Sequence, residues 1–193
     1  DSDVFVAVSK PDDRGVYRWD ETAGDWTRLG AAGIDTVVFR AFEAGLDGRL
    51  WLGTDARGLW QSSDGGSDWQ AIEGGGDWTV WSLAAAPSDG DVVLVGLGPP
   101  DGQVGVGGFA KGIRRSQDGG ATWQDVTPAL ASAAPNETIT ALAFSRTTPG
   151  LAFAAGWFGG LFVTRDGGMT WAPYPTPAGQ PRYYDALLLV PSG

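Results

Sequence analysis

One short pattern recurs along this chain and constrains it more than any other feature. It reads Ser62-Ser63-Asp64-Gly65-Gly66-Ser67-Asp68-Trp69, then Ser116-Gln117-Asp118-Gly119-Gly120-Ala121-Thr122-Trp123, then Thr164-Arg165-Asp166-Gly167-Gly168-Met169-Thr170-Trp171. A degenerate copy precedes these, from Arg18 through Asp20 and Gly24 to Trp26. The closing tryptophans stand at 26, 69, 123 and 171, which are spacings of 43, 54 and 48 residues. A period of this length means one supersecondary unit repeated, each unit too small to bury its apolar face without a neighbour.

The pattern also says what the unit is made of. Asp-Gly-Gly between two apolar runs is a hairpin signal, because glycine supplies the positive φ that a tight turn needs. The Asp carboxylate can accept N–H bonds inside the turn, and the Ser or Thr two residues earlier adds a second side-chain bond. The Trp then leaves on the next strand and is expected to bury its ring beneath the hairpin. Four-stranded propeller blades run roughly 40–50 residues, so the period fits them. The expected fold class is therefore all-β, a β-propeller of four-stranded antiparallel blades with four repeats in residues 1–193. Trp123→Ala is expected to cost about 3–5 kcal/mol as a buried aromatic.

The pattern Ser/Thr-x-Asp-x-Gly-x-Thr-Trp resembles the Asp-box, or BNR, repeat. Proteins that carry it include sialidases, sortilin-type receptors, xyloglucan-active hydrolases and a photosystem II assembly factor. The resemblance assigns turn-building roles to Asp20, Trp26, Ser62, Asp64, Trp69, Ser116, Asp118, Trp123, Thr164, Asp166 and Trp171. The first copy departs from it: Arg18 replaces Ser/Thr and two extra residues precede Trp26.

In Asp-box propellers the box joins the third and outermost strands of a blade. That phase implies innermost strands at 35–42, 80–86, 139–145 and 184–190. Second strands fall at 4–8, 50–53, 92–96 and 151–155, and third strands at 15–19, 58–62, 112–116 and 160–164. Outermost strands begin at the box tryptophans. The final segment, Tyr184–Val190, is placed to complete the blade opened by Val4–Val8, which closes a ring and removes open edges. A closed four-bladed ring, a segment of a larger propeller and a ring completed by a second copy all remain open. A chain opening at Asp1 is expected to be a processed product or an excised segment.

Composition then excludes several functions. The net charge of −10 and pI near 4.2 argue against nucleic acid and anionic membrane surfaces, which reward Lys and Arg. No apolar run approaches the roughly 20 residues of a membrane helix. The chain has neither Cys nor His, which removes disulfides, thiolate catalysis and the commonest general base and transition-metal ligand. No cofactor, metal site or catalytic residue is assigned.

The resemblance puts the functional face opposite the boxes. The loops expected there gather Arg14, Arg57, Trp78, Phe109, Trp157, Phe158, Arg182 and Tyr183, together with Asp12, Asp13, Asp55, Asp101 and Lys111. Aromatic rings beside charges suit a glycan or peptide platform, although Trp78 and Trp157 serve equally well as covers over the core. The glycine-rich loop from Leu97 to Lys111 is the longest departure from the repeat, and no phosphate-loop pattern accompanies it. Asn136-Glu137-Thr138 is a glycosylation sequon.

A non-enzymatic scaffold that binds a protein or glycan partner is the leading expectation. A glycoside hydrolase is the alternative. It needs two carboxylates about 5–10 Å apart across the sugar, and no pair among Asp12, Asp13, Asp35, Asp55, Asp77 and Asp185 stands out. The three arginines Arg14, Arg57 and Arg182 fit the carboxylate clamp of sialidases, but the Arg-Ile-Pro signature of those enzymes is missing. An assembly role like the photosystem factor's meets the difficulty that its partner-binding surface is Arg-rich. Self-association that completes a ring, and a secreted, periplasmic or surface location, follow from the resemblance.

Overall fold

The computed structural model describes residues 3–30, 33–100, 111–127, 138–157, 160–176, 187 and 189. Its strands are β1 (Phe5–Val8), β2 (Gly15–Asp20), β3 (Asp25–Arg28), β4 (Phe39–Ala44), β5 (Leu50–Thr54), β6 (Leu59–Ser62), β7 (Gln70–Ala71) and β8 (Val80–Ala85). They continue as β9 (Val93–Leu97), β10 (Gly112–Ser116), β11 (Gln124–Asp125), β12 (Ile139–Phe144), β13 (Ala152–Gly156), β14 (Gly160–Thr164) and β15 (Ala172–Tyr174). Every strand pairing among the described residues is antiparallel and joins neighbours in sequence. Three sheets have four strands, β4 to β7, β8 to β11 and β12 to β15, and β1 to β3 form a three-stranded sheet among the described residues. The chain is all-β, and its architecture is that of a β-propeller.

The blades hold together face to face, and strand alternation explains how. In β5, Leu50 and Leu52 point one way into a core with Val16, Ile34 and Trp69, shared with the first blade. Trp51, between them, points the other way and joins Leu59, Val80, Val93 and Val95 at the interface with the third blade. In β9 the same split recurs. Val93 and Val95 face the second blade, while Leu94 faces the fourth and packs with Ile113, Ile139 and Phe162. Small residues let the blades close up. A Cβ on Gly53 would lie 2.4 Å from a Val80 methyl, and one on Gly96 would lie 2.8 Å from the Ile139 carbonyl.

The three Asp-Gly-Gly turns share one hydrogen-bond pattern. Ser116 Oγ donates to Asp118 Oδ1 (2.8 Å) and accepts from the Gly120 N–H (2.8 Å), while Asp118 Oδ1 accepts the Thr122 N–H (2.8 Å). Ser62 with Asp64, and Thr164 with Asp166, repeat these bonds. The Thr122 hydroxyl and N–H, then the Ser116 hydroxyl, hold the Asp118 carboxyl down to about 2. In Asp166, burial opposes the shift, and the Thr170 hydroxyl and N–H bring it below the ordinary carboxylate value. The second glycine is obligatory on two counts. Gly168 has φ +93°, and a Cβ there would stand 2.5 Å from Leu94, which belongs to the preceding blade.

Each turn also positions its tryptophan. Trp69, Trp123 and Trp171 donate Nε1–H to the carbonyls of Gly66, Gly120 and Gly168. Trp69 and Trp171 are buried in the core shared with the blade before, and Trp123 packs half-buried against its own. Trp26 departs from the expectation of a buried ring, for it is 42% exposed. Its hairpin lacks the Gly-Gly pair, so the Asp20 carboxylate caps a longer turn through the Thr22 and Ala23 N–H groups. Trp26 thereby becomes a ladder residue opposite Trp19, and the two rings meet edge to face at 5.4 Å.

One innermost strand differs from its expected limits in an informative way. The innermost strand of the second blade begins at Phe39 rather than Asp35, because Gly33–Val37 forms a turn that inserts Ile34 and Val37 into the core. The ring-closing strand expected at Tyr184–Val190 lies outside the described residues apart from Leu187 and Leu189.

Candidate functional site

The innermost strands β4, β8 and β12 share an irregularity that the repeat alone does not require. Each slips register at its second residue. Phe39 pairs with Thr54 and Ala41 with Gly53, so Arg40 is the extra residue. Trp81 is the extra residue between Val80 and Ser82, and Thr140 between Ile139 and Ala141. A β-bulge re-aims the residue that carries it and is frequent beside functional sites. All three bulges sit at the starts of the strands, at the end of the fold opposite the Asp-Gly-Gly turns.

Two of the bulge residues, Arg40 and Trp81, meet in an aromatic and ionic cluster. The Arg40 guanidinium carbon lies 4.5 Å from the Trp81 ring centroid, and Arg40 Nη2 is 3.3 Å from Asp55 Oδ2. The Arg40 side chain is 11% exposed, so this pair is far less screened than a surface one. Trp157 meets Trp81 edge to face at 6.0 Å. Trp81 Nε1–H donates to the Pro99 carbonyl (2.9 Å), and Thr140 Oγ1 donates to the Ala155 carbonyl (3.2 Å). Both tryptophans remain partly exposed. The cluster thus combines a cation held over one ring with two partly exposed indoles.

The residues expected to bind a ligand distribute unevenly around it. Trp157 belongs to the cluster. Arg57 is exposed on the neighbouring loop, where its carbonyl accepts Trp60 Nε1–H (3.2 Å). Arg14 turns to its own blade and donates to the Ser9 carbonyl from Nε and Nη2, each at 3.4 Å. Trp78 is only 8% exposed and stacks edge to face on Trp123 at 5.6 Å; it seals a blade interface and does not offer its ring as a platform. Phe109, Phe158, Arg182 and Tyr183 lie outside the described residues.

Arg40 and Trp81 escaped the sequence reading, which absorbed them into ordinary strands. Their signal was a broken alternation. Phe39 and Phe42, Val80 and Leu83, and Ile139 and Leu142 are three apart, yet each pair packs on one core. A regular strand places same-face residues two apart, so one extra residue must intervene.

The chain matches no protein-family model and no curated protein sequence. Comparison with solved structures places it among β-propellers. It is similar to an ancestral GH74 enzyme with a TM-score of 0.68 and 20% identity, covering 91% of this chain and 22% of that one. It is similar to YCF48 from Cyanidioschyzon merolae, with a TM-score of 0.50, 21% identity, and coverage of 70% and 36%; YCF48 has also been solved bound to a D1 peptide. A third likeness is the extracellular domain of the hybrid two component system BT4673 from B. thetaiotaomicron, with a TM-score of 0.61, 14% identity, and coverage of 94% and 22%. The chain therefore spans between about a fifth and two fifths of the length of these proteins. The likeness defines the fold, and at these identities it defines nothing finer.

Proposed function

We propose that residues 1–193 form one propeller domain or propeller segment of four Asp-box repeats. It acts as a non-enzymatic binding or assembly scaffold outside the cytoplasm, offering the bulged face to a protein or glycan partner. The observation that carries this reading is the threefold recurrence of the bulge, with Arg40, Trp81 and Thr140 in equivalent positions. A repeat that keeps one irregularity while changing the side chain on it suits a recognition surface. The D1 peptide on YCF48 supports a protein partner for a related fold. The extracellular setting of the BT4673 domain supports the location. Ring closure by the last segment is part of the proposal: Tyr184-Asp185-Ala186-Leu187 repeats the apolar-x-small-apolar spacing of the other three blades.

Hydrolysis of a glycan is the second reading, favoured by the fold shared with GH74 enzymes. One experiment separates the two. Xyloglucan oligosaccharides and a panel of short peptides are titrated into the protein by calorimetry, and reducing-sugar release is followed in parallel. The scaffold reading expects binding without release, weakened at least tenfold by Trp81→Ala. Binding that survives both Trp81→Ala and Trp157→Ala would remove the bulged face from consideration. Catalytic release of sugar would establish the hydrolase.

A further inference from the structure

A cavity of about 370 Å³ opens at the other end of the fold, on the side of the Asp-Gly-Gly turns. It lies where β4, β8 and β12 terminate, with Leu142, Phe144, Leu46 and Ala84 forming apolar walls. Leu187 and Leu189 line it too. Among the described lining residues two are ionisable, Glu43 at the end of β4 and the exposed Arg146 in the bend after β12. The Arg146 charge favours the ionised form of Glu43, and the two form no ion pair among the described residues. Burial pushes the Glu43 carboxyl up, and the Ala85 backbone amide and Arg146 offset only part of that.

The charges decide what the cavity can hold. A simple cation gains from Glu43 and is repelled by Arg146, and a simple anion meets the reverse. A neutral apolar guest would cover both ionisable groups without replacing their water, which is unfavourable. A small zwitterion with an apolar body satisfies every wall at once: its ammonium faces Glu43, its carboxylate faces Arg146, and its side chain meets the leucines and Phe144. The volume is at the lower end of ligand cavities, which run from about 300 to 1,000 Å³. We propose that this cavity is a binding site for a free hydrophobic α-amino acid, held between Glu43 and Arg146. The site is separate from the bulged face and does not depend on the scaffold reading.

Calorimetric titration of the unsubstituted protein with L-leucine and L-phenylalanine tests it. The proposal expects saturable binding of at least one of them, with N-acetyl-leucine and leucinamide each binding at least tenfold more weakly. Glu43→Gln and Arg146→Gln should each reproduce that loss in protein whose circular dichroism and melting temperature match the parent. No heat with either amino acid overturns the proposal. Equal affinity for leucine and its two blocked forms also overturns it, since the paired charges would then recognise nothing. The analogue series is read on the parent protein, so it decides the matter even if a variant fails to fold.

Discussion

The four repeat tryptophans form a natural series in which residue type is constant and surroundings vary. Trp171 is 7% exposed, lies between the third and fourth blades and donates to the Gly168 carbonyl at 3.1 Å. An aromatic of this kind covers about 150–250 Å², which at about 25 cal/mol per Å² corresponds to roughly 4–6 kcal/mol of transfer free energy. Partial collapse of the site brings the expected cost of Trp171→Ala to about 3–5 kcal/mol. Trp26 is 42% exposed and rests on Trp19 of its own hairpin. Its removal gives up one cross-strand aromatic pair and a little over half a ring's burial, about 2–3 kcal/mol. Trp123, half-buried against Trp78, falls between them at about 2–4 kcal/mol, less than its sequence position suggested. Urea unfolding followed by far-UV circular dichroism measures all three. If Trp26→Ala destabilises as much as Trp171→Ala, the assignment of blade-interface burial as the source of the repeat tryptophan's value is wrong.

Two further outcomes test the turns. The Asp118 pKa lies near 2 in the fold against 3.8 for the free group, so its contribution is complete above about pH 4 and disappears as pH falls toward 2. The urea midpoint of the parent should therefore fall more steeply than that of Asp118→Asn between pH 5 and pH 2, and parallel curves would contradict the bonding pattern. Gly167 and Gly168 are adjacent with φ of +72° and +93°, but a Cβ on Gly167 would meet Arg115 Nη2 at an ordinary 3.9 Å, whereas one on Gly168 would stand 2.5 Å from Leu94. Gly167→Ala should cost about 1–2 kcal/mol from backbone conformation alone, and Gly168→Ala about 1–3 kcal/mol more from overpacking against Leu94. Equal melting temperatures for the two variants would show that the turn does not press on the preceding blade.

The repeat made the blades legible because it marks them chemically. Asp-Gly-Gly fixes the hairpin, the closing Trp fixes the outermost strand, and the remaining apolar runs then have one place each. What stayed hidden follows from the same economy. The bulges at Arg40, Trp81 and Thr140 lie inside apolar runs, where an extra residue shows only as a spacing of three in place of two. Val37 reads as a strand residue because an apolar residue entering a core from a turn has the same composition as one entering from a strand. Trp78 sits in a loop, and its depth depends on Trp123, 45 positions later in the chain. The cavity that Glu43 and Arg146 line joins the ends of three blades that no local pattern connects.

The three interface cores have a consequence for how stability is distributed. Blades two and three are each clamped on both faces, and every described core is shared between consecutive blades. Strength in such a fold is a chain of nearest-neighbour couplings, with no single centre to lose. A defect in one interface weakens two blades and reaches the others only through them. The molecule can therefore vary the side chains at one end of its strands, blade by blade, while the couplings that keep it folded are renewed at each junction.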